Sequence, residues 1–467
     1  MKKFQLAIII FYLLCVLILP VFAQKGTTTE VTLVAPNTKQ PQTAISPIID
    51  IAREEEPFAV LAYTTNTMLS PPIISTVHIA YLYPSGGMST HTINLNPGEF
   101  VDELELAVDP THQTIHLLAK IADTLTYSVV ANTTLKYYRI PYNWPSVLIP
   151  LTIPTGFPGN IFKTDLTVDA NEIGYLAIYH YGVTYWDPAD LQLLQILPNG
   201  SINNTWPVYA SPVTGFLSSQ NFGAPDISLK LNNNEPCIVA EFPTSYNPSA
   251  SEVDEFCIDV TTGNVTQQTV SVNTLSVEPF NVSGIETKLD FIPDIDLNNQ
   301  SVVTYFDSSG IGGTPPAFFE LAFGGNPPLY WTNSSDPYLD NVTMADISVI
   351  DGTTSSIKPL YMVAVTGGGT TAGGHNLDLR ISYDGGQIWQ GGTLYTTSQY
   401  IINVKMPEKI PLNTSNFMVA FVENPYPNGS QYGLGHTLKL FVNNSIGTIF
   451  SSTTEGVGQD IEIEFLH

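Results

Sequence analysis

Asp165-Leu-Thr-Val-Asp169, a polar turn and then Tyr175-Leu-Ala-Ile-Tyr179 form the stretch that decides the fold, because the pattern recurs. Earlier copies are Ile48-Ile-Asp-Ile-Ala52 with Phe58-Ala-Val-Leu-Ala-Tyr63, and Glu105-Leu-Ala-Val-Asp109 with Ile115-His-Leu-Leu-Ala119. Later ones are Asp226-Ile-Ser-Leu229 with Cys237-Ile-Val-Ala-Glu-Phe242, and Asp294-Ile-Asp-Leu297 with Val302-Val-Thr-Tyr-Phe306. The last two are Asp346-Ile-Ser-Val349 with Tyr361-Met-Val-Ala-Val365, and Asn403-Val-Lys-Met406 with Phe417-Met-Val-Ala-Phe421. The alternating half of each copy reads as a strand, and after the polar turn the run of Val, Ala, Tyr and Phe reads as a second.

The starts at 48, 105, 165, 226, 294, 346 and 403 are separated by 57, 60, 61, 68, 52 and 57 residues. A mean step of about 59 is the signature of an array of structural units. A second hairpin follows in each unit. Its turns are Tyr83-Pro-Ser-Gly86, Ala131-Asn-Thr-Thr134, Pro198-Asn-Gly-Ser201, Thr262-Gly-Asn264, Gly324-Gly-Asn326, Asp384-Gly-Gly386 and Val442-Asn-Asn-Ser445. Gly and Asn supply the positive φ that tight hairpins need.

Four short strands per unit, seven times over, predict an all-β fold: a seven-bladed β-propeller of four-stranded antiparallel blades. It would occupy residues 24–467 as a single domain, with a short linker at 24–29. Glu30-Val-Thr-Leu-Val-Ala35 is a strand that could pair with the last blade and close the ring. Two unrelated β-sandwiches are the competing architecture, and the even spacing argues against them.

Composition limits the partners. Charged residues are 12% of the chain, and 42 Asp and Glu against 16 Lys and Arg give a net charge of −26. That excludes nucleic-acid binding through a basic face, which needs clustered cations. Met1-Lys2-Lys3 followed by an apolar run from Phe4 to Phe22 reads as an export signal. Val21 and Ala23 fit a signal-peptidase site, so residues 1–23 are expected to be removed and Gln24 to begin the mature chain. An uncleaved anchor is the competing reading. No second apolar run of that length follows, so the expected mature protein is secreted or at the cell surface and does not span a membrane.

Cys15 would be lost with the signal, leaving Cys237 and Cys257. In an exported chain two cysteines on facing strand-like runs suggest a disulfide staple. Asn-x-Ser/Thr sequons include Asn132, Asn199, Asn264 and Asn443, all on or beside the expected turns between third and fourth strands. Glycosylated, they would coat that face and leave the opposite one open.

Blade six reads Arg380-Ile-Ser-Tyr-Asp-Gly-Gly-Gln-Ile-Trp389. Ser382, Asp384, Gly386 and Trp389 fit S-x-D-x-G-x-x-W, which resembles the Asp-box of sialidase-like propellers (also called the BNR repeat). The physics is structural: Asp384 can bond amides across its turn, Gly386 supplies an unusual backbone conformation, and Trp389 can bury under the hairpin. The resemblance implies the fold. Sialidase activity would further imply three arginines clamping a carboxylate. This chain has Arg53, Arg139 and Arg380 alone. Arg139, in Tyr138-Arg-Ile-Pro141, is expected on the fourth strand of blade two at its outer edge, and Arg380 on a third strand beside the Asp-box. One remaining arginine cannot build a bidentate clamp.

The face of the second-to-third and inter-blade connections is then the expected ligand face. Its candidates are Tyr185, Trp186, Asp187, Asp190, Tyr246, Asp307, His375, Tyr426, Tyr432 and His436. Tyr142, Trp144 and Trp206 are expected on inter-blade links. Rings with a few carboxylates suit a glycan or an extracellular protein; packing of the rings against the blades is the alternative for any one of them. Asp294-Ile-Asp296-Leu-Asn298 lacks the Gly and distal Glu of a calcium loop. His112 and His116 lack a third ligand. Thr366-Gly-Gly-Gly-Thr-Thr-Ala-Gly-Gly374 carries no Lys. No cofactor is expected, with structural calcium left open. The leading expectation is a non-catalytic binding propeller. The alternative is a polysaccharide hydrolase or lyase using Asp187, Asp190 and Asp307, whose carboxylates would have to lie about 5–10 Å apart.

Overall fold

The computed structural model describes residues 56–67, 75–122, 133–142, 151–153, 160–181, 189–210, 227–232, 234–243, 251–273, 290–292, 302–307, 318–323, 329–331, 344–351, 360–366, 374–383, 389–407, 409–411, 417–425, 435–442, 445–452 and 455–466. Among them every regular element is a strand. In chain order β1 (Ala59–Thr67), β2 (Ser75–Leu82) and β3 (Met88–Asn94) are followed by β4 (Phe100–Asp109), β5 (Thr114–Ala122), β6 (Thr133–Pro141) and β7 (Leu151–Ile153). Next come β8 (Asn160–Val168), β9 (Gly174–Tyr181), β10 (Ala189–Ile196) and β11 (Ile202–Ala210). The middle holds β12 (Ile227–Asn232), β13 (Glu235–Pro243), β14 (Ser251–Ile258) and β15 (Val265–Asn273). Then follow β16 (Asp290–Ile292), β17 (Val302–Asp307), β18 (Phe318–Phe323) and β19 (Leu329–Trp331). The C-terminal part holds β20 (Met344–Asp351), β21 (Leu360–Thr366), β22 (Gly374–Ser382), β23 (Trp389–Lys405) and β24 (Lys409–Pro411). Last are β25 (Met418–Asn424), β26 (Thr437–Val442), β27 (Ser445–Ser451) and β28 (Glu455–Phe465).

These strands build four-stranded antiparallel sheets. Three of them, β4–β7, β8–β11 and β12–β15, run through four consecutive strands in order, and so does β16–β19. Strand β23 serves two groups: its first half pairs with β22, and Tyr400–Lys405 pairs with β25. The strands β20–β27 therefore join in one eight-stranded sheet, with β24 lying parallel to the end of β20.

The first sheet departs from expectation. Its order is β28-β1-β2-β3, with Phe465 opposite Ala59 and Glu455 opposite Thr67. The inner edge of β1 thus belongs to the C-terminal strand, where the repeat pattern put Ile48–Ala52. Among the described residues the ends of the chain are joined by β28 on β1. Both expected N-terminal strands, Glu30–Ala35 and Ile48–Ala52, lie outside the described residues.

Packing explains the continuous apolar runs. In β1, Ala59, Leu61 and Tyr63 enter one core with Met418, Ala420 and Val422 of β25, while Val60 and Ala62 enter another with Leu104 and Leu117. In β9, Leu176 and Ile178 pack toward Leu118 and Leu135, whereas Tyr175, Ala177 and Tyr179 pack toward Ile238 and Ala240. Each such strand feeds two cores because its sheet is sandwiched between neighbours. Contacts between the innermost strands run β28 to β4, β8, β12, β16, β20, β23 and back to β28.

The recurrent acid is a staple between these strands. Glu103 Oε2 accepts from Thr164 N and Oγ1 at 3.2 and 3.0 Å. Asp165 Oδ2 accepts the Leu229 amide at 2.5 Å, and Asp346 Oδ2 the Met406 amide at 2.6 Å. In the second unit the acid that does this is Glu103, two residues before the position the repeat had marked. Lys405 Nζ completes the series with Glu462 Oε1 of β28 at 2.9 Å.

Candidate functional site

The sheets have two unlike edges. One carries the first-to-second and third-to-fourth turns, and it is bonded to itself. Asp109 Oδ1 accepts from Thr111 N and His112 N at 2.9 and 3.2 Å. Asp169 and Asp259 close their turns the same way, onto Asn171, Ile173, Thr261 and Thr262. Short Asx turns of this kind leave little backbone free for a ligand.

Arg139 lies on this edge. It is on β6, the third strand of its sheet rather than the fourth, since β7 takes the outer position. Its Nε donates to Glu172 Oε1 at 2.7 Å and Nη2 donates to the same oxygen. Thr114 Oγ1 donates to that oxygen too, at 3.1 Å, and also meets His116 Nε2. His116 Nδ1 in turn bonds the Tyr137 hydroxyl. Burial pushes His116 down to about 4, against the pull of Glu172, and pushes the Tyr137 phenol up. The guanidinium is thus a lock between two sheets. Arg380, on the third strand β22 as expected, is buried and donates to its neighbour's carbonyl, Leu379 O, at 2.9 Å. Arg53 lies outside the described residues.

The opposite edge carries the second-to-third connections: 68–74, 123–132, 182–188, 244–250, 308–317, 367–373 and 425–436. Their roots are polar and buried. Ser75 Oγ donates to Asn66 Oδ1 at 2.5 Å. Asp378 accepts from Thr366 and Thr393 hydroxyls at 2.6 Å each. Lys439 Nζ reaches Tyr395 Oη at 2.8 Å and Glu423 Oε2 at 3.1 Å. Lys120, buried between Glu103 at 2.9 Å and Asp102 at 3.0 Å, is pulled down by burial but lifted further by the two carboxylates. These bonds make a rigid platform for whatever the connections carry.

Asp190, expected in a loop, is the second residue of β10 and stands directly opposite His180 of β9. Burial lowers the His180 pKa and Asp190 opposes it. Residues 182–188, with Tyr185, Trp186 and Asp187, span this hairpin end. His375 is in β22, with Nδ1 bonded to Gln399 O at 2.6 Å and its ring 4.5 Å from that of Tyr400. His436 is fully buried, its Nδ1 at 3.3 Å from Val457 O, so it underlies this edge rather than lining it. Asp307 ends β17. The side chains of Tyr185, Trp186, Asp187, Tyr246, Asp307, Tyr426 and Tyr432 lie outside the described residues, as does the segment Asp294–Asn298. Of the three carboxylates of the hydrolytic alternative, Asp190 alone is among the described side chains.

Other expectations shift with the topology. Tyr142 follows β6 at the third-to-fourth connection and donates to Leu466 O at 3.2 Å, and Trp206 is within the outer strand β11; neither is on a link between sheets. Trp144 lies outside the described residues. Asn132 falls between β5 and β6, second and third strands, hence on the edge opposite Asn199 and Asn264. It lies outside the described residues, as does Asn443 between β26 and β27. Ser382 and Trp389 are directly paired across the third-to-fourth turn of the sixth unit, where the Asp-box motif was expected. Asp384 and Gly386 lie outside the described residues.

Cys237 and Cys257 face each other on β13 and β14 and are disulfide-bonded. With Glu255 they form the one cluster of three potential metal ligands among the described residues, and oxidation of both sulfurs removes it as a metal site.

No family model matches the chain, and no curated protein matches it. Solved structures similar to it include a polysaccharide lyase, ulvan lyase, at 10% identity and TM-score 0.45, covering 84% of this chain and 97% of that one. A Dyadobacter fermentans protein of unknown function gives 11% identity and TM-score 0.43 over 79% and 96%. A Trypanosoma rangeli sialidase gives 7% identity and TM-score 0.41 over 78% and 56%. At these scores none of them bears on the activity of this chain.

Proposed function

We propose that the chain is an exported, single-domain, seven-bladed β-propeller that binds an extracellular glycan or protein without turning it over. The cyclic contacts of the seven innermost strands, β28 included, support the ring. The observation that carries the functional reading is the asymmetry of the two edges. One is consumed by its own Asx turns and the Arg139–Glu172 lock. The other presents seven connections on a bonded platform; together they carry eleven Gly, five Tyr and one Trp, and Tyr185 and Trp186 precede Asp190 in sequence. Aromatic faces flanked by few charges favour stacking on sugars or packing on a protein. The Asp-box of blade six acts as a turn staple in this reading, the mature protein begins at Gln24, and sugar is carried on the self-bonded edge.

A second reading, hydrolysis or elimination on a polysaccharide, has one observation in its favour: a carboxylate, Asp190, directly across from a buried imidazole, His180. A glycan array with the mature chain, run beside a broad glycosidase and lyase screen, separates the two. Binding without turnover supports the first reading, and turnover lost in Asp190→Asn supports the second.

A further inference from the structure

We infer that Asn199 and Asn264 accept covalently attached N-linked oligosaccharide, and that Asn203 does not. The inference rests on the export reading and deepens it. All three begin sequons, Asn199-Gly-Ser201, Asn203-Asn-Thr205 and Asn264-Val-Thr266, and all three residues are exposed. What separates them is the side-chain amide nitrogen, the atom that must react.

Asn199 sits in the β10–β11 turn. Its Oδ1 accepts from Ser201 N at 3.0 Å and from Ser201 Oγ at 2.7 Å. Both bonds fall on the oxygen, so they fix the carboxamide and turn Nδ2 outward; among the described residues nothing bonds to that nitrogen. Asn264 closes the β14–β15 turn, whose backbone is held by Asp259, and its own side chain makes no hydrogen bond among the described residues. Asn203 lies within β11, and its Nδ2 donates to Gln195 Oε1 at 2.7 Å. Glycosylating it would break that bond inside a formed strand.

The Asn264 turn packs on the strand that follows the Asn199 turn. A methyl group placed on Gly263, just before Asn264, would lie 3.3 Å from Nε1 of Trp206 in β11. The fourth sheet's turn therefore abuts the third sheet's outer strand, beyond which no strand pairs among the described residues. Two sugars here would shield an edge that could otherwise pair with another chain. The reaction is glycosyl transfer from a lipid-diphosphate-linked oligosaccharide. Nδ2 forms a bond to the anomeric carbon as that carbon's bond to the diphosphate oxygen breaks. The lipid diphosphate leaves, and the amide proton passes to a base of the transferase.

The test is intact-glycopeptide mass spectrometry on the full chain, recovered from the medium of a host that N-glycosylates exported proteins, together with its N-terminal residue. Sugar on Asn199 and Asn264 with Asn203 bare is the expected result, and Ser201→Ala and Thr266→Ala should each abolish the signal at their own site alone. A chain that begins at Gln24 with Asn199 and Asn264 bare, or with Asn203 occupied above them, overturns the proposal while leaving export intact. A chain absent from the medium and found inside the cells with Met1 and without sugar overturns the export reading and the proposal with it.

Discussion

Asp346 accepts the backbone amide of Met406 at 2.6 Å across 60 residues of sequence, so the acid of one repeat is bonded to the inner strand of the next. The same relation holds between Asp165 and Leu229. Loss of such an acceptor leaves a buried amide unpaired, which costs about 1–3 kcal/mol. Asp346→Ala should lower stability by about 2 kcal/mol in urea titrations. Asp346→Asn, which keeps an acceptor oxygen, should lose less than half as much; equal losses would mean that charge, not the hydrogen bond, matters there.

The disulfide closes a loop across 20 residues. Cross-links of that span stabilise by about 3 kcal/mol, chiefly through the unfolded chain. The double replacement Cys237→Ser, Cys257→Ser should shift the thermal midpoint down and make it insensitive to reductant. Wild type should move to the same midpoint when reduced.

Stability should fall on mild acidification. His116 is buried and His78 half-buried, and burial pushes both down to about 4 from an ordinary 6.5. Between those values the unfolded chain binds protons that the folded chain refuses, so stability is fully present above 6.5 and is lost as pH falls toward 4. Each shift corresponds to about 3 kcal/mol. Glu99, held low by Lys136 against the effect of burial, keeps its full stabilising contribution above its ordinary 4.5 and loses it only as pH falls further. The urea midpoint measured from pH 7 to 4.5 should therefore drop, and His116→Gln should flatten part of that slope.

Ile461 and Ile463 of β28 are buried in the core shared with β25. Ile463→Ala should cost about 2–5 kcal/mol. A chain ending at 454 should lose cooperative unfolding altogether, read by near-UV dichroism and limited proteolysis.

Replacing Tyr185 and Trp186 together with Ala should abolish binding of any ligand found on the array and leave the thermal midpoint within a degree or so, as the ligand-face reading expects. A large fall in stability would mark the rings as packing elements instead.

Much of the architecture was legible because its cause is local. Tyr175–Tyr179 reads as a strand of the repeat, and it is one, its alternate residues feeding two cores. The facing cysteines and the turn at Ser382–Trp389 were readable for the same reason. What was not legible depends on distant partners. Nothing near Ile461 says that it will lie beside Tyr63. The strand order around Arg139 was misjudged because β7 is only three residues long and carries no hairpin signal of its own. The acid of the repeat was visible as a recurrence, but its task appears only once the next inner strand is in place. On the loop-bearing edge, residue types suggest a ligand class, and the chemistry that would name the ligand lies in the connections rather than in the strands.

The pairing of β28 with β1 also makes folding wait for synthesis. Until Glu455–Phe465 has been made, Ala59–Tyr63 has an apolar strand edge with nothing beside it, a template for aggregation and a target for proteases. A truncated product would keep that edge bare and be cleared, while a finished one covers it with its own last strand. The clasp thus works as a check that synthesis has reached β28.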